Sequence, residues 1–349
     1  MKPSVQDVAK AAGVGASTVS RALNNHPHIS AEAKARVLEA AQRLNYTPDP
    51  AARTLRSGQT HAVSVLLPLI GTAFYETLLL AIYDRLSEAG FDLALFPLLG
   101  QQRVRRYLDS DALVYRADGL ILASQNPDQL YGSLPGGRAP FAKPMVLVDA
   151  QHPAYHSVSF DNRSAGAMAA GAALESGLPV VVIEGAEVEG GGLASPVFSE
   201  RRRGLLDELA RRGVWPLETL RLDVVRGQVV PEAAAHLIAQ SVLVQSGLAH
   251  PPSGQPFFVV ALSDDLALGT LPLLMQAGLR SRRDYLMLGF DGSAAAAQAG
   301  LTSVVQPAAE LGRAAAELLL EAMRGELTLA VQRVFAPTLR RGDSTRPLL

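Results

Sequence analysis

The chain has 349 residues, 48% hydrophobic and 19% charged, with a formal net charge of −1 and no cysteine. That length exceeds one ordinary domain, so two or three units are expected. The missing cysteines exclude disulfides, thiolate nucleophiles and Cys-ligated metals, and no run of 18 uncharged apolar residues or secretory h-region occurs, so a cytoplasmic chain without membrane spans is expected.

The charge is unevenly placed. Residues 1–60 hold three Lys and five Arg against two Asp and two Glu, a net +4, which leaves −5 for the other 289. A basic N-terminal unit on an acidic body suits a polyanion-binding head. Its first helix is announced by Ser4 and Asp7, which have capping-box spacing, and Val5, Val8, Ala9 and Ala12 then share one face. Gly13 suits a left-handed stop. A second helix is predicted from Ala16 to about Asn24, with Val19, Ala22 and Leu23 inward. Ser30 caps a third, with Val37, Leu38, Ala41 and Leu44 toward the core. Two short helices joined by a Gly-containing turn and braced by a third match a helix-turn-helix. Ala16 and Ser17, at the start of the second helix, are placed for base edges. Arg21 can pair with a guanine, and Thr18 and Ser20 can reach phosphates. Spacing alone leaves open a plain three-helix bundle with a solvated polar face.

The stretches SVQDVAKAAGVGASTVSRALNN and NYTPDPAARTL resemble the DNA-binding head of the lactose/galactose repressor family. The match is dense over residues 4–58, with further motifs to about residue 325. The resemblance adds Asn25 to the DNA-contacting residues. One departure is Gly15, where the family usually has a Ser or Thr cap; a Gly there costs only a few tenths of a kcal/mol. Beyond the head, Pro48 breaks the third helix, and Asp49 and Pro50 can start another. PAARTLRS gives about two turns, too short to be stable alone in water. The resemblance implies that this hinge helix folds on operator DNA beside its dimer mate and enters the minor groove. Leu55 would wedge a base step, with Arg53 and Arg56 near phosphates.

From about His61 the body alternates apolar strands with amphipathic helices. AVSVLLP, FDLALFP, DGLILA, PMVLVD, PVVVIE, FFVVAL and YLMLGF read as buried parallel strands. Phe74–Ala89, Ser199–Arg211 and Asp265–Ala277 read as helices between them. Repeated βα units predict doubly wound parallel sheets, and the length predicts two lobes. This resembles the two-lobed periplasmic-binding-protein-like core of the same family, whose chain crosses between lobes three times. The crossings are placed near 160, 291 and 320. The expected organisation is a helix-turn-helix head at 1–47 and a hinge at 48–60. The first core lobe takes 61–160 with 291–320, the second 161–290 with 321–340, and a tail 341–349.

Enzyme motifs are weak. There is no G-x-G-x-x-G after the first strand and no G-x-x-x-x-G-K-[ST]. EGAEVEGGGLASP, at 184–196, is Gly-rich but lacks a Lys, which favours a rim loop. His152 and His156 are separated by Pro153, which argues against a helical metal pair. Asp264 and Asp265 are adjacent, so a catalytic dyad is not expected. No catalytic residue, metal or cofactor is assigned.

The family's effector cleft is carried over by position. FSERRRGLLDEL matches its R-x-x-G segment, which makes Arg201 the effector-binding arginine. GFDGS makes Asp291 a carboxylate for ligand hydroxyls. ALSDDLALG places Ser263, where Asn is usual, and Asp264. VLVDAQ and VSFDNR place Asp149 and Phe160, and Phe74 and Tyr75 stand at the first strand's mouth. TSVVQPAAELG keeps Gln306 on the interlobe face. Leu69, Thr72, Ala123 and Ala308 depart from polar or aromatic residues, and no aromatic platform is found near Val224 and Val225. No C-terminal leucine heptad follows Arg324, so a two-fold dimer on a palindromic operator is expected. The reading is a DNA-binding transcriptional regulator, a repressor, modulated by a sugar or sugar derivative. The alternatives are control by a non-sugar metabolite or partner protein, or a solute-binding module without a DNA role.

Overall fold

A computed structural model describes residues 3–23, 28–46, 59–68, 72–99, 101–107, 112–132, 142–187, 196–225, 228–241 and 256–347. Its contacts divide the chain into two units, Met1–Thr60 and His61–Leu349. Asn25, the expected hinge helix with Arg53, Leu55 and Arg56, Leu69, and residues 188–195 lie outside the described residues.

In the first unit, α1 (Val5–Ala12) begins at the Ser4–Asp7 capping box, both arms of which form. It stops at Gly13, whose φ of 64° is left-handed, and the Gly13 N–H closes the last turn. Next come α2 (Ala16–Leu23) and α3 (Ala31–Arg43), the latter capped by the Ser30 hydroxyl. Val8, Ala9, Ala12, Val19, Ala22, Val37, Ala40 and Ala41 form one small core, with Val5, Leu23 and Leu44 packed against it. Leu38 was expected inside and is instead 46% exposed. It lies one step round the helix from the stripe made by Val37, Ala40, Ala41 and Leu44, and 100° per residue carries it off that face.

The second unit holds two sheets. The first contains β1 (Ala62–Leu67), β2 (Asp92–Pro97), β3 (Gly119–Ala123), β4 (Met145–Val148), β5 (His156–Phe160) and β12 (Gln332–Phe335). Their order is β12-β5-β4-β3-β1-β2, parallel throughout. The second contains β6 (Val180–Glu187), β7 (Glu218–Val225), β8 (Gln228–Val229), β9 (Phe257–Ala261), β10 (Tyr285–Asp291), β11 (Thr302–Val305) and β13 (Thr338–Arg340). Their order is β13-β11-β10-β9-β6-β7-β8, with antiparallel pairing only at β13 and β8. All seven expected strands are present. The central ones are apolar on both faces because helices cover both.

The helices of the second unit are α4 (Ala73–Glu88), α5 (Gln101–Tyr107), α6 (Pro127–Tyr131), α7 (Asn162–Ser176), α8 (Pro196–Arg211), α9 (Pro231–Gln240), α10 (Asp264–Gln276), α11 (Ala294–Gln298) and α12 (Ala308–Met323). The front of the Gly-rich stretch, residues 184–187, continues β6. Helices α7 and α8 meet through glycines. A Cβ on Gly166 would lie 2.0 Å from the Arg201 carbonyl oxygen, and one on Gly204 1.9 Å from that of Arg163. Only glycine permits this approach, and it fixes how deep Arg201 sits.

The chain crosses between lobes after Phe160, at Gln306–Pro307 and at Ala336–Pro337. The last two differ from the expected 291 and 320. Segment 291–306 stays in the second lobe because β11 pairs with β10. Helix α12 belongs to the first lobe, where Gly312 lets it rest on the Leu78 backbone of α4. Strand β12 then pairs with β5 in the same lobe, and the chain from β13 onward returns to the second. Each corrected crossing has a proline, which cannot donate to a ladder and so ends the strand.

Candidate functional site

On α2, Ala16, Ser17 and Arg21 are exposed, Thr18 and Ser20 are half-buried, and Val19 and Ala22 face the core. Val19 and Ala22 anchor the helix, which leaves a small-residue face with a guanidinium one turn in. Small side chains and a guanidinium are the kinds of group that approach base edges in a major groove.

In each sheet of the body the strand order reverses once, between β1 and β3 and between β6 and β9. Ligands bind beyond the carboxyl ends of strands at such switch points. Two expected residues stand at such strand ends: Asp149 follows β4 with φ 54°, and Asp291 ends β10 with φ 100°. Ser124, which the sequence did not single out, follows β3 with φ 50°. Non-glycine residues in this region are strained unless the surroundings hold them, and such strain gathers at functional sites.

Arg201 is the centre. Its side chain is 2% exposed, yet it is charged. Each of its three nitrogens meets an acceptor. Nε donates to Asn162 Oδ1 at 2.9 Å, Nη1 to the Leu262 carbonyl at 2.9 Å, and Nη2 to Gln306 Oε1 at 2.5 Å. Nη2 also lies 2.8 Å from Asp291 Oδ1. The guanidinium carbon stands 5.1 Å from the Phe290 ring centre and 5.7 Å from that of Phe198. A buried guanidinium is tolerated only when its donors are satisfied in this way.

Asp149 is 4% exposed. It accepts from Phe160 N at 3.4 Å, Asn162 Nδ2 at 3.1 Å and Gln306 Nε2 at 2.9 Å. Burial raises its pKa above the carboxylate norm, opposed mainly by Gln306 and then by Arg201. Tyr75 packs edge-on against Phe74 with ring centres 5.1 Å apart, and burial raises its phenol pKa. Asp149, Asp291 and Arg201 all act on that phenol through their charges. Thr72, at the mouth of β1, has a buried hydroxyl without a partner among the described residues.

Asp264 is buried behind Asp291. It accepts from Ser303 Oγ and the Ser293 N–H, both at 2.7 Å, while burial and then the Asp291 charge push its pKa up to about 7. Asp265, next along α10, diverges from it. Burial, then Asp291 and Glu76, push its pKa up to about 6.

Three sequence expectations change. The Phe160 ring lies in the core, so it offers the site only its backbone N–H. Ser263 caps α10 by accepting from Leu266 N at 3.1 Å. Asp264 supports the Asp291 turn instead of opening to the cleft. Phe74, Tyr75, Asp149, Arg201 and Asp291 do gather. Asn162 and Phe198 were missed. Phe198 is 38% exposed and supplies the aromatic surface that Val224 and Val225 lack. Its signal was available, because it stands three residues before Arg201, on the same helix face. His152 pairs with Asp128 at 3.2 Å, and His156 Nδ1 accepts from Val331 N. A separate cavity of about 330 Å³, lined by Arg282, Gln298, Leu301 and Asp343 among others, lies at the opposite, amino ends of β10 and β11.

The family model for bacterial regulatory proteins of the lacI family matches residues 4–49, and that for a periplasmic binding protein-like domain matches 193–345. The HTH-type transcriptional regulator CelR of Thermobifida fusca is 29% identical over 348 residues, covering 95% of each chain. A probable transcription regulator from Thermus thermophilus is 36% identical, covers 81% of this chain and 97% of its own, and superposes with a TM-score of 0.61. A transcriptional regulator CelR–cellobiose complex is 25% identical, covers 98% of this chain and 99% of its own, and has a TM-score of 0.65.

Proposed function

The chain belongs to the lacI family of bacterial regulatory proteins, and from that premise we propose that it is a repressor whose operator affinity is set by a small polyhydroxy ligand held between its two lobes. The DNA-binding regulator is the family's common property. The two-fold dimer, the palindromic operator and the sugar-like ligand are the finer reading.

The observation that carries it is the meeting of Arg201 and Asp291 at the carboxyl ends of the strands, beside aromatic rings. Asp291 gives Oδ1 to Arg201 and has a side chain 17% exposed, so its other oxygen remains an acceptor for a hydroxyl. Phe74 and Phe198 can cover a sugar's apolar face. A cleft richer in carboxylates than in cations favours a neutral ligand over an anionic one. The cellobiose held by the CelR complex is of this class. A ligand that touches both lobes shifts their arrangement by its differential affinity, and reciprocity requires operator DNA to shift ligand affinity equally.

The test selects an operator from random DNA with the full chain, then repeats the gel shift with Arg21→Ala. The variant is expected to lose about 1–3 kcal/mol on the selected site and much less on random DNA. Equal losses would reduce Arg21 to a phosphate contact. Melting the chain with cellobiose, other sugars, sugar phosphates and nucleosides tests the cleft, because any ligand of the native state raises the melting temperature. A flat panel would favour control by a partner protein.

A further inference from the structure

Asn162 opens α7 just after the first lobe crossing, and Gln306 stands at the second. Their amides do the same thing from two sides. Each takes a donor of Arg201 on its oxygen and gives an N–H to one oxygen of Asp149. Arg201 is carried by α8 in the second lobe, Asp149 by the end of β4 in the first. The result is a closed ring of four side chains joining the lobes at two of the three connecting segments. All four members are buried.

The ring has a fixed polarity. A guanidinium only donates and a carboxylate only accepts, so each amide has one allowed orientation. Turning either amide over would set donor against donor at one end and acceptor against acceptor at the other.

We propose that Asn162 and Gln306 are positioning residues that form a polarity-matched hinge lock, holding the relative setting of the lobes by joining Arg201 to Asp149 at two of the three crossings. Any rotation of one lobe on the other must break or re-aim these bonds, and it does so among buried side chains, where an unmatched polar group is costly. The lock goes beyond the ligand and operator reading and does not depend on it. It would serve a two-lobed protein of any ligand.

Polarity gives a test that simple damage does not mimic. In Asp149→Asn the carbonyl oxygen still accepts from Asn162 and Phe160, but the new N–H group faces the N–H group of Gln306. In Gln306→Glu a carboxylate still accepts from Arg201 but faces the carboxylate of Asp149. The double variant, D149N with Q306E, restores one donor to one acceptor at that contact and keeps the net charge.

Hydrogen exchange is measured on the full chain without ligand or DNA. Each single variant is expected to exchange about tenfold faster in peptides spanning 160–166 and 306–312, with those of β3 and β9 unchanged. The double variant is expected to return to within about threefold of the parent. Unchanged exchange at the crossings in both single variants overturns the lock. So does a double variant that exchanges as fast as the faster single one. If a single variant does not fold, the double must still fold, and its failure also overturns the lock.

Discussion

Asp149 and Asp291 occupy like places in the two lobes. Each stands at the carboxyl end of a strand, each has a left-handed backbone, with φ of 54° and 100°, and each meets the Arg201 cluster. Their surroundings differ. Asp149 is 4% exposed, with both oxygens taken by amides. Asp291 gives one oxygen to Arg201, and its side chain is 17% exposed. The same residue type in the same strained turn therefore does two jobs. In the first lobe the carboxylate is a structural acceptor. In the second it has capacity to spare at the cleft. Strain at a strand end marks the site but does not assign the role, and the count of occupied oxygens does.

The largest expected effect removes what the two regions share. Arg201→Leu would strand the acceptors of Asn162, Gln306, Asp291 and the Leu262 carbonyl together. Breaking a buried charged network by deleting one partner costs about 3–5 kcal/mol. Urea unfolding of the variant should show that loss in the midpoint with little change in slope. A loss below about 1 kcal/mol, the level of an exposed pair, would mean that the guanidinium is far better solvated than its 2% exposure implies.

The next effect divides the two regions. Asp149→Asn puts an N–H against the Gln306 N–H, and an unsatisfied buried donor costs about 1–3 kcal/mol. Asp291→Asn keeps an oxygen for Arg201 at a side chain that is 17% exposed, so its stability loss should be smaller. In ligand response the ranking should reverse, with Asp291→Asn losing the ligand-induced rise in melting temperature and Asp149→Asn keeping more of it. If both variants lost stability equally and response equally, the distinction between the two aspartates would be gone.

Much of this was legible in the sequence. The capping box at Ser4 and Asp7, the stop at Gly13 and the apolar runs of the central strands are local signals, and the structure forms them where they stand. The family motifs placed Arg201 and Asp291. The amide ring was not legible, because Gln306 meets partners 105 and 157 residues away and nothing local marks an amide as a bridge. The crossings failed for a related reason. The periodicity of α12 says that one face is buried, but not which sheet buries it. Pro307 and Pro337 were the available punctuation. Phe198 was overlooked because the aromatic platform was sought near a strand end, not on the helix that carries the arginine.

The smallest expected effect concerns the two faces across the cleft. Asp265 on α10 in the second lobe feels the charge of Glu76 on α4 in the first. For Asp265, burial comes first, then Asp291, then Glu76, and together they move its pKa from 3.8 up to about 6. The folded chain therefore holds a proton on Asp265 over a range where the unfolded chain has released it. By linkage, the stability this proton brings is complete below the unfolded value and is lost as pH rises through the folded one. Asp265→Asn has no proton to lose. Parent and variant should thus melt alike near pH 4, and the variant should melt higher above pH 6, by about 2 °C for a gain of under 1 kcal/mol in a body this size. The partial exposure of Asp265 and screening by salt keep the effect small, and raising the ionic strength should shrink it further. The comparison of the two regions sharpens here. Asp264, whose pKa burial and the Asp291 charge push up to about 7, titrates in the same range and remains in the variant, so the difference between parent and Asp265→Asn, and not the slope of either curve, reports on Asp265. Melting curves that run parallel for parent and variant at every pH would show that Asp265 titrates as an ordinary surface carboxylate and that the two faces do not feel one another.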